Sequence, residues 1–319
     1  MAITGGRRAV GACSVGAALI LATIAPVVAF GDGPVGSDRT IFGDPGPIDF
    51  TRAATAGRRP ERAGSQFRTR PLPEPPVPGL EYPTGACDTI VDGLPGLELR
   101  RAPSDYRLVG SSVLGRPIWA EYWGPPDATQ VVVVIGNVHG DECSPTLLVE
   151  AIRASPPEHY GIWLIPVLNP DGYAAYERRN AEGVDLNTDG GRRSQPETRA
   201  LDAFLDEVRP KMTLHVHSPN GFVGTYPQSD PNVLTMCGAV ESSTEMRCGR
   251  AGSRDDRDRW TLWQGRRERA DESALLVELF AVSDDEVPHA EPRPPTRTVE
   301  RVRSETEAIV VALHDVFGP

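Results

Sequence analysis

Two stretches of the chain bring imidazole and carboxylate groups together at spacings that suit a metal ion. Asn137-Val138-His139-Gly140-Asp141-Glu142 follows almost directly on Val131-Val132-Val133-Val134-Ile135. That β-branched run reads as a strand buried on both faces. A histidine and a glutamate three positions apart, at the exit of a central strand, can converge on one ion. Zinc accepts nitrogen and oxygen ligands of this kind, and catalytic zinc takes three protein ligands while keeping a position open. The third ligand then comes from another strand end, and Leu214-His215-Val216-His217-Ser218 offers it. His215 and His217 alternate by two along an extended chain, so both face the same side, and either completes a His–Glu–His set.

Further along, Leu276-Val277-Glu278-Leu279 places a carboxylate within an apolar strand. An acid in such surroundings needs a partner or a purpose. Between these stretches lie the turn Asn169-Pro170-Asp171-Gly172 and the polar run Arg178-Arg179-Asn180-Ala181-Glu182-Gly183-Val184-Asp185-Leu186-Asn187.

Taken in order, His-x-x-Glu, Asn-Pro-Asp-Gly, Arg-x-Asn, Gly-Val-Asp-Leu-Asn, His-Ser and Glu-Leu resemble the carboxypeptidase A-like zinc metallopeptidases, a group that includes bacterial murein-peptide amidases. Gly110-Ser111-Ser112-Val113-Leu114-Gly115-Arg116-Pro117-Ile118 is similar to the opening hairpin of that family, and Gln195-Pro196-Glu197-Thr198-Arg199-Ala200-Leu201 to one of its helix starts. The resemblance covers residues 106–317. It implies one zinc ion per chain, with His139, Glu142 and His217 as ligands; His217 is preferred to His215 because of the Ser218-Pro219 that follows it. It implies that Asp185 holds a zinc histidine from behind, that Arg178 polarises the scissile carbonyl, and that Glu278 is the general base on the zinc-activated water and then the proton donor to the leaving amine.

One position departs from the family. The Asn of Asp-Leu-Asn is there followed by an arginine that clamps the substrate's terminal carboxylate, whereas Asn187 is followed by Thr188. Thr cannot make the bidentate pair that Arg makes. Asn187, Arg192 and Arg193 are the substrate-binding candidates, the two arginines as stand-ins for the clamp or as a solvated pair. Tyr226 is the nearest counterpart of the family's mobile tyrosine. The resulting expectation is a zinc-dependent metallopeptidase or amidase acting on a peptide or a cell-wall peptide. Two other readings stand beside it: a deacylase of small N-acyl amino acids with the same site, and a zinc-binding secreted domain without turnover, which Thr188 motivates.

Positioning these residues requires an α/β domain. Residues 106–110 and 117–122 read as a hairpin around Gly115, residues 131–135, 161–168, 212–217 and 274–280 as strands, and residues 146–154, 196–208 and 299–317 as helices. Strands alternating with helices predict a single domain with a mixed, mostly parallel sheet covered by helices on both faces. Ligands then bind at the carboxyl ends of the strands, where the histidines and carboxylates above fall.

Before this domain, Arg7 and Arg8 precede an apolar run over residues 9–30 that ends at Val27-Val28-Ala29. Residues 1–29 therefore read as a secretory signal peptide, with an uncleaved anchor as the alternative. Residues 30–85, rich in Pro, Gly and Arg, read as a disordered linker or pro-segment, and residues 86–319 as the catalytic domain. Export to an oxidising compartment, secreted or periplasmic, leads the remaining cysteines to be read as disulfides. Cys237 with Cys248 is the local pairing, which leaves Cys87 with Cys143; buried free thiols are the alternative. Acidic residues outnumber basic ones by 44 to 33, for a formal net charge of -11, which argues against a nucleic-acid surface. No membrane contact is expected after signal cleavage, and the chain is expected to be a monomer.

Overall fold

The computed structural model describes residues 84–91, 102–225, 231–250, 272–283 and 296–319. The signal-peptide reading lies outside these residues, as does the linker reading apart from its last two positions. Among the described residues one sheet contains β1 (Asp105–Ser111), β2 (Pro117–Trp123), β3 (Val131–Ile135), β4 (Gly161–Ile165), β5 (Met212–His217), β6 (Asn220–Thr225), β7 (Arg247–Arg250) and β8 (Ser273–Phe280). Its spatial order is β1-β2-β4-β3-β5-β8-β6-β7. The centre, from β4 through β3 and β5 to β8, is parallel. The β1–β2, β2–β4 and β8–β6 pairs are antiparallel, and β6–β7 is again parallel. The sheet is mixed with a parallel centre, and the domain is α/β.

The helices are α1 (Asp88–Val91), α2 (Ser144–Ala154), α3 (Pro170–Ala175), α4 (Pro196–Val208), α5 (Pro231–Ser243) and α6 (Val299–Phe317). Strand alternation divides the core between two faces. Val132 and Val134 of β3 join Leu147, Leu148 and Ile152 of α2, Val233 and Met236 of α5, and Ile309 and Leu313 of α6. Val133 and Ile135 point the other way, toward Leu201, Phe204 and Leu205 of α4. Burial on both faces is why β3 carries β-branched residues at every position rather than at every second one.

Three local differences from the sequence expectation have simple causes. β4 stops at Ile165 rather than at 168 because Pro166 has no N–H to continue the ladder. Beyond it the Leu168 and Asn169 amides donate to the carbonyls of Gly136 and Asn137, which ties the exit of β4 to the exit of β3. The Asn-Pro-Asp-Gly segment is more than a turn. Asn169 caps α3 by accepting from the Gly172 amide at 3.0 Å, and Pro170 stands where a helix tolerates proline. β6, α5 and β7 are elements that the sequence reading did not resolve.

Candidate metal and catalytic centre

The exits of β3 and β5 and the last turn of β8 meet at one end of the sheet. After β3 the chain runs through Gly136 and Asn137, the latter at φ 46° with its carboxamide donating to the Pro166 carbonyl at 2.9 Å. Gly140 then passes so close to the first turn of α3 that a Cβ would lie 2.0 Å from the Gly172 carbonyl carbon. No larger residue fits there without moving the loop that carries His139 and Glu142. Cys143, next in the chain, is joined to Cys87 in a disulfide, and the Ser144 hydroxyl donates to the Phe280 carbonyl at 2.7 Å. The ligand loop is thus tied to α1 on one side and to β8 on the other.

His139, Glu142 and His217 come together with one potential ligand atom each, all within 4.8 Å of one another, and each residue is 1% exposed. His139 Nδ1 lies 2.6 Å from Glu142 Oε1, and His217 Nδ1 lies 3.0 Å from Glu142 Oε2. The two Nδ1 atoms are 3.2 Å apart. Two like ring nitrogens and a carboxylate in dry contact form a costly arrangement by themselves, and one that a cation satisfies. The donor set, two imidazole nitrogens and a carboxylate, is that of a catalytic zinc site. On the far side of His139, Nε2 is 3.0 Å from Asp185 Oδ1, the outer partner that fixes which ring nitrogen faces a metal. The residues present therefore fit a zinc ion. His215, the other sequence candidate, is fully buried within β5 beside Ile135 and Leu276 and is not a member of the cluster.

Asp185 also organises its own loop. It caps the short 3-10 turn Leu186–Asp189 by accepting from the Asn187 and Thr188 amides, and Oδ2 takes the Arg178 Nε at 3.2 Å. Arg178 in turn places Nη1 2.9 Å from Glu142 Oε1. The arginine therefore stands at the edge of the cluster with some donors engaged and others spare. Glu278 pairs across β5–β8 with His217, so its side chain shares the rim. Asn187 presents a buried carboxamide oxygen with no hydrogen-bond partner among the described residues. Thr188 is exposed and donates its hydroxyl to the Asp185 carbonyl. Arg192 and Arg193 are exposed on the following loop; Arg193 lies 3.4 Å from Asp202 of α4, and neither contacts the cluster. Tyr226 lies outside the described residues.

Charge coupling divides the titrating groups. Burial opposes ionisation of Glu142, but the two histidines hold its carboxyl well below the usual range. Burial also works against a charged His139, yet Glu142 and Asp185 outweigh it and raise the imidazolium to about 9. Burial likewise opposes ionisation of Asp185, and His139 and Arg178 overcome it, so that this carboxyl is strongly lowered. For His217 burial prevails and the imidazolium is lowered. Glu278 goes the other way: burial first, then the neighbouring Glu142 charge, pushes its carboxyl up to about 8. The two carboxylates thus sit in opposed environments, Glu142 held ionised by the histidines and Glu278 held toward its protonated form.

A sheet with a parallel centre and a His–Glu–His cluster at the carboxyl ends of its strands defines a metallohydrolase type of site. The chain belongs to the zinc carboxypeptidase family, whose model matches residues 100–259. Among curated proteins it is 30% identical over 181 residues to carboxypeptidase SOL1 of Arabidopsis thaliana, covering 44% of this chain and 35% of that protein. It is 27% identical over 141 residues to murein peptide amidase A of Escherichia coli K12, covering 34% of this chain and 57% of the amidase. The matched region thus spans about a third and just over half of the two relatives' lengths. Among solved structures, a metallo-carboxypeptidase from Burkholderia cenocepacia superposes with a TM-score of 0.54 at 17% identity, covering 72% of this chain and 67% of that one, a likeness of fold.

Proposed function

We propose that the protein is an exported zinc-dependent hydrolase of peptide or related amide bonds. The observation that carries this reading is the buried convergence of His139, Glu142 and His217, with Glu278 and Arg178 at its rim. Zinc held by those three residues would polarise a carbonyl oxygen and bring the pKa of a water toward ~7. Glu278 takes the proton of the attacking water and returns it to the leaving nitrogen. Burial beside Glu142 raises its basicity, and a cation held by the three ligands would favour its ionised form. Arg178 offers its spare N–H groups to the carbonyl oxygen as charge develops there. Asp185 keeps the His139 ring turned with Nδ1 inward. Asn187, in the loop that Asp185 caps, is the proposed substrate-binding residue beside the cluster.

The substrate proposed is a peptide, and a cell-wall peptide in particular, since one relative is named a murein peptide amidase. Uncharged Thr188 supports amidase action over strict removal of C-terminal residues, because no bidentate clamp stands at that position. The signal-peptide reading and the disulfides support action outside the cytoplasm.

The purified full chain should contain one zinc and cleave peptides until it is chelated. Peptides with free and amidated C-termini should be cleaved at similar rates; a strong preference for the free terminus would reassign Arg192 or Arg193 as the clamp. Glu278→Gln should keep its zinc and lose turnover by a factor of roughly 10²–10⁴. An active Glu278→Gln protein would remove the proposed base, and a chain that binds no zinc would remove the site.

A further inference from the structure

The residue next to Glu278 that the sequence reading passed over is Asn220. It opens β6, the strand antiparallel to β8, and pairs there with Phe280, while Phe222 pairs with Glu278. Neighbours two residues apart along such a pair lie on one face within side-chain reach. Asn220 Nδ2 donates to Glu278 Oε2 at 3.1 Å. The backbone that delivers it is closely fitted. Gly221 sits at φ +60°, and a Cβ there would lie 2.0 Å from the Phe280 ring. Only glycine permits this approach, which holds the start of β6 against the end of β8.

We propose that Asn220 is the positioning residue for Glu278, holding Oε2 so that Oε1 is presented to the proton it must accept. This rests on the hydrolase reading above. The residue type fits the task. A lysine or arginine at this place would pair with the carboxylate and weaken it as a base, and an acid would repel it. A neutral amide orients the carboxylate and leaves its charge available. Asn220 is exposed, so its replacement leaves the core packing untouched.

The test uses the zinc-loaded full chain with Asn220→Leu, which keeps the shape and removes the donor, and Asn220→Ser, which restores a donor. Asn220→Leu should keep its zinc and thermal midpoint, hold KM within about twofold and lose kcat about tenfold, the effect of one charge-assisted hydrogen bond. Asn220→Ser should recover part of that loss. An unchanged kcat overturns the proposal. So does a raised KM with kcat retained, which makes Asn220 a substrate contact, and so does loss of zinc in both variants, which makes it a structural residue. The Asn220 side-chain amide signal in a nitrogen-15 spectrum supplies a readout independent of turnover. It should shift when Glu278→Ala removes the acceptor, and an unmoved signal refutes the pairing whatever the activity. If the amide shifts but the zinc-loaded wild type cleaves no peptide, the hydrolase reading fails and takes the catalytic purpose of the pairing with it.

Discussion

Asp185 performs two tasks with one carboxylate. Oδ1 meets His139 Nε2 and also accepts from the Asn187 amide, while Oδ2 takes Arg178 Nε. Its position in Gly-Val-Asp-Leu-Asn follows from this: an aspartate at the cap of a short turn is already immobilised, so it can hold an imidazole without further ordering cost. Asp185→Ala should weaken zinc affinity about 10–100-fold, the usual effect of removing an outer partner of a metal histidine, as read by competition with a chromogenic chelator. Unchanged affinity would mean that the ring is held by packing alone. The same variant frees Arg178, so kcat should fall even at saturating zinc.

Segment 84–91 is a clip on the loop that carries His139 and Glu142. Cys87 is fully buried against Cys143 and Tyr173, and the Tyr173 hydroxyl donates to Asp88 Oδ1 at 2.7 Å. The disulfide joins residues 56 apart, and closing a loop of that length removes chain entropy worth about 4 kcal/mol from the unfolded state. Cys143 directly follows Glu142, so the bond acts on the site as well as on stability. Replacing both Cys87 and Cys143 by Ser should cost about 2–5 kcal/mol in denaturant unfolding and should also weaken zinc retention. A stability loss without any change in zinc binding would separate the clip from the site. The second disulfide, Cys237–Cys248, joins α5 to β7 away from the ligand loop, and its removal should leave zinc affinity unchanged.

For the molecule as a whole, the charges around Glu305 of α6 lead to an expected dependence of stability on pH. Glu305 is 1% exposed, and neither carboxylate oxygen has a hydrogen bond among the described residues. Arg301 lies 3.8 Å from it, while Glu245 engages both Arg297 and Arg301. Burial, only partly offset by the arginines, pushes its carboxyl from 4.5 up to about 7. The folded protein then holds a proton between those values that the unfolded chain has released. Stability from this group is greatest below the unfolded value and falls as pH rises through the folded one, by roughly 3 kcal/mol at most. Glu305→Gln should raise the unfolding midpoint at pH 8 and flatten its decline between pH 5 and 7. An unchanged pH profile would show that Glu305 is adequately solvated or paired.

Local patterns in the sequence were enough for the α/β class, the buried central strand, the local pairing of Cys237 with Cys248 and the nearness of His139 to Glu142. Each of these depends on periodicity or short spacing, which the chain carries within itself. β6, α5 and β7 were not legible. Gly221 and Gly224 interrupt the strand signal of β6, β7 has only four residues, and the apolar positions of α5 follow no clear helical stripe. Pairing with β8 makes β6 a strand, and burial against α6 orders α5. The choice of His217 over His215 rested on a resemblance in the sequence, because alternation puts both on one face; in three dimensions His217 stands at the strand exit facing Glu142, while His215 lies deeper beside Ile135 and Leu276. The carboxamide of Asn220 on Glu278, across 58 residues, and the bond from Arg178 to Glu142, across 36, belong wholly to the tertiary structure. Residues that far apart in the chain carry no mutual spacing signal, and only the register of β6 on β8 and the folding of the Asp185 loop bring them within bonding distance.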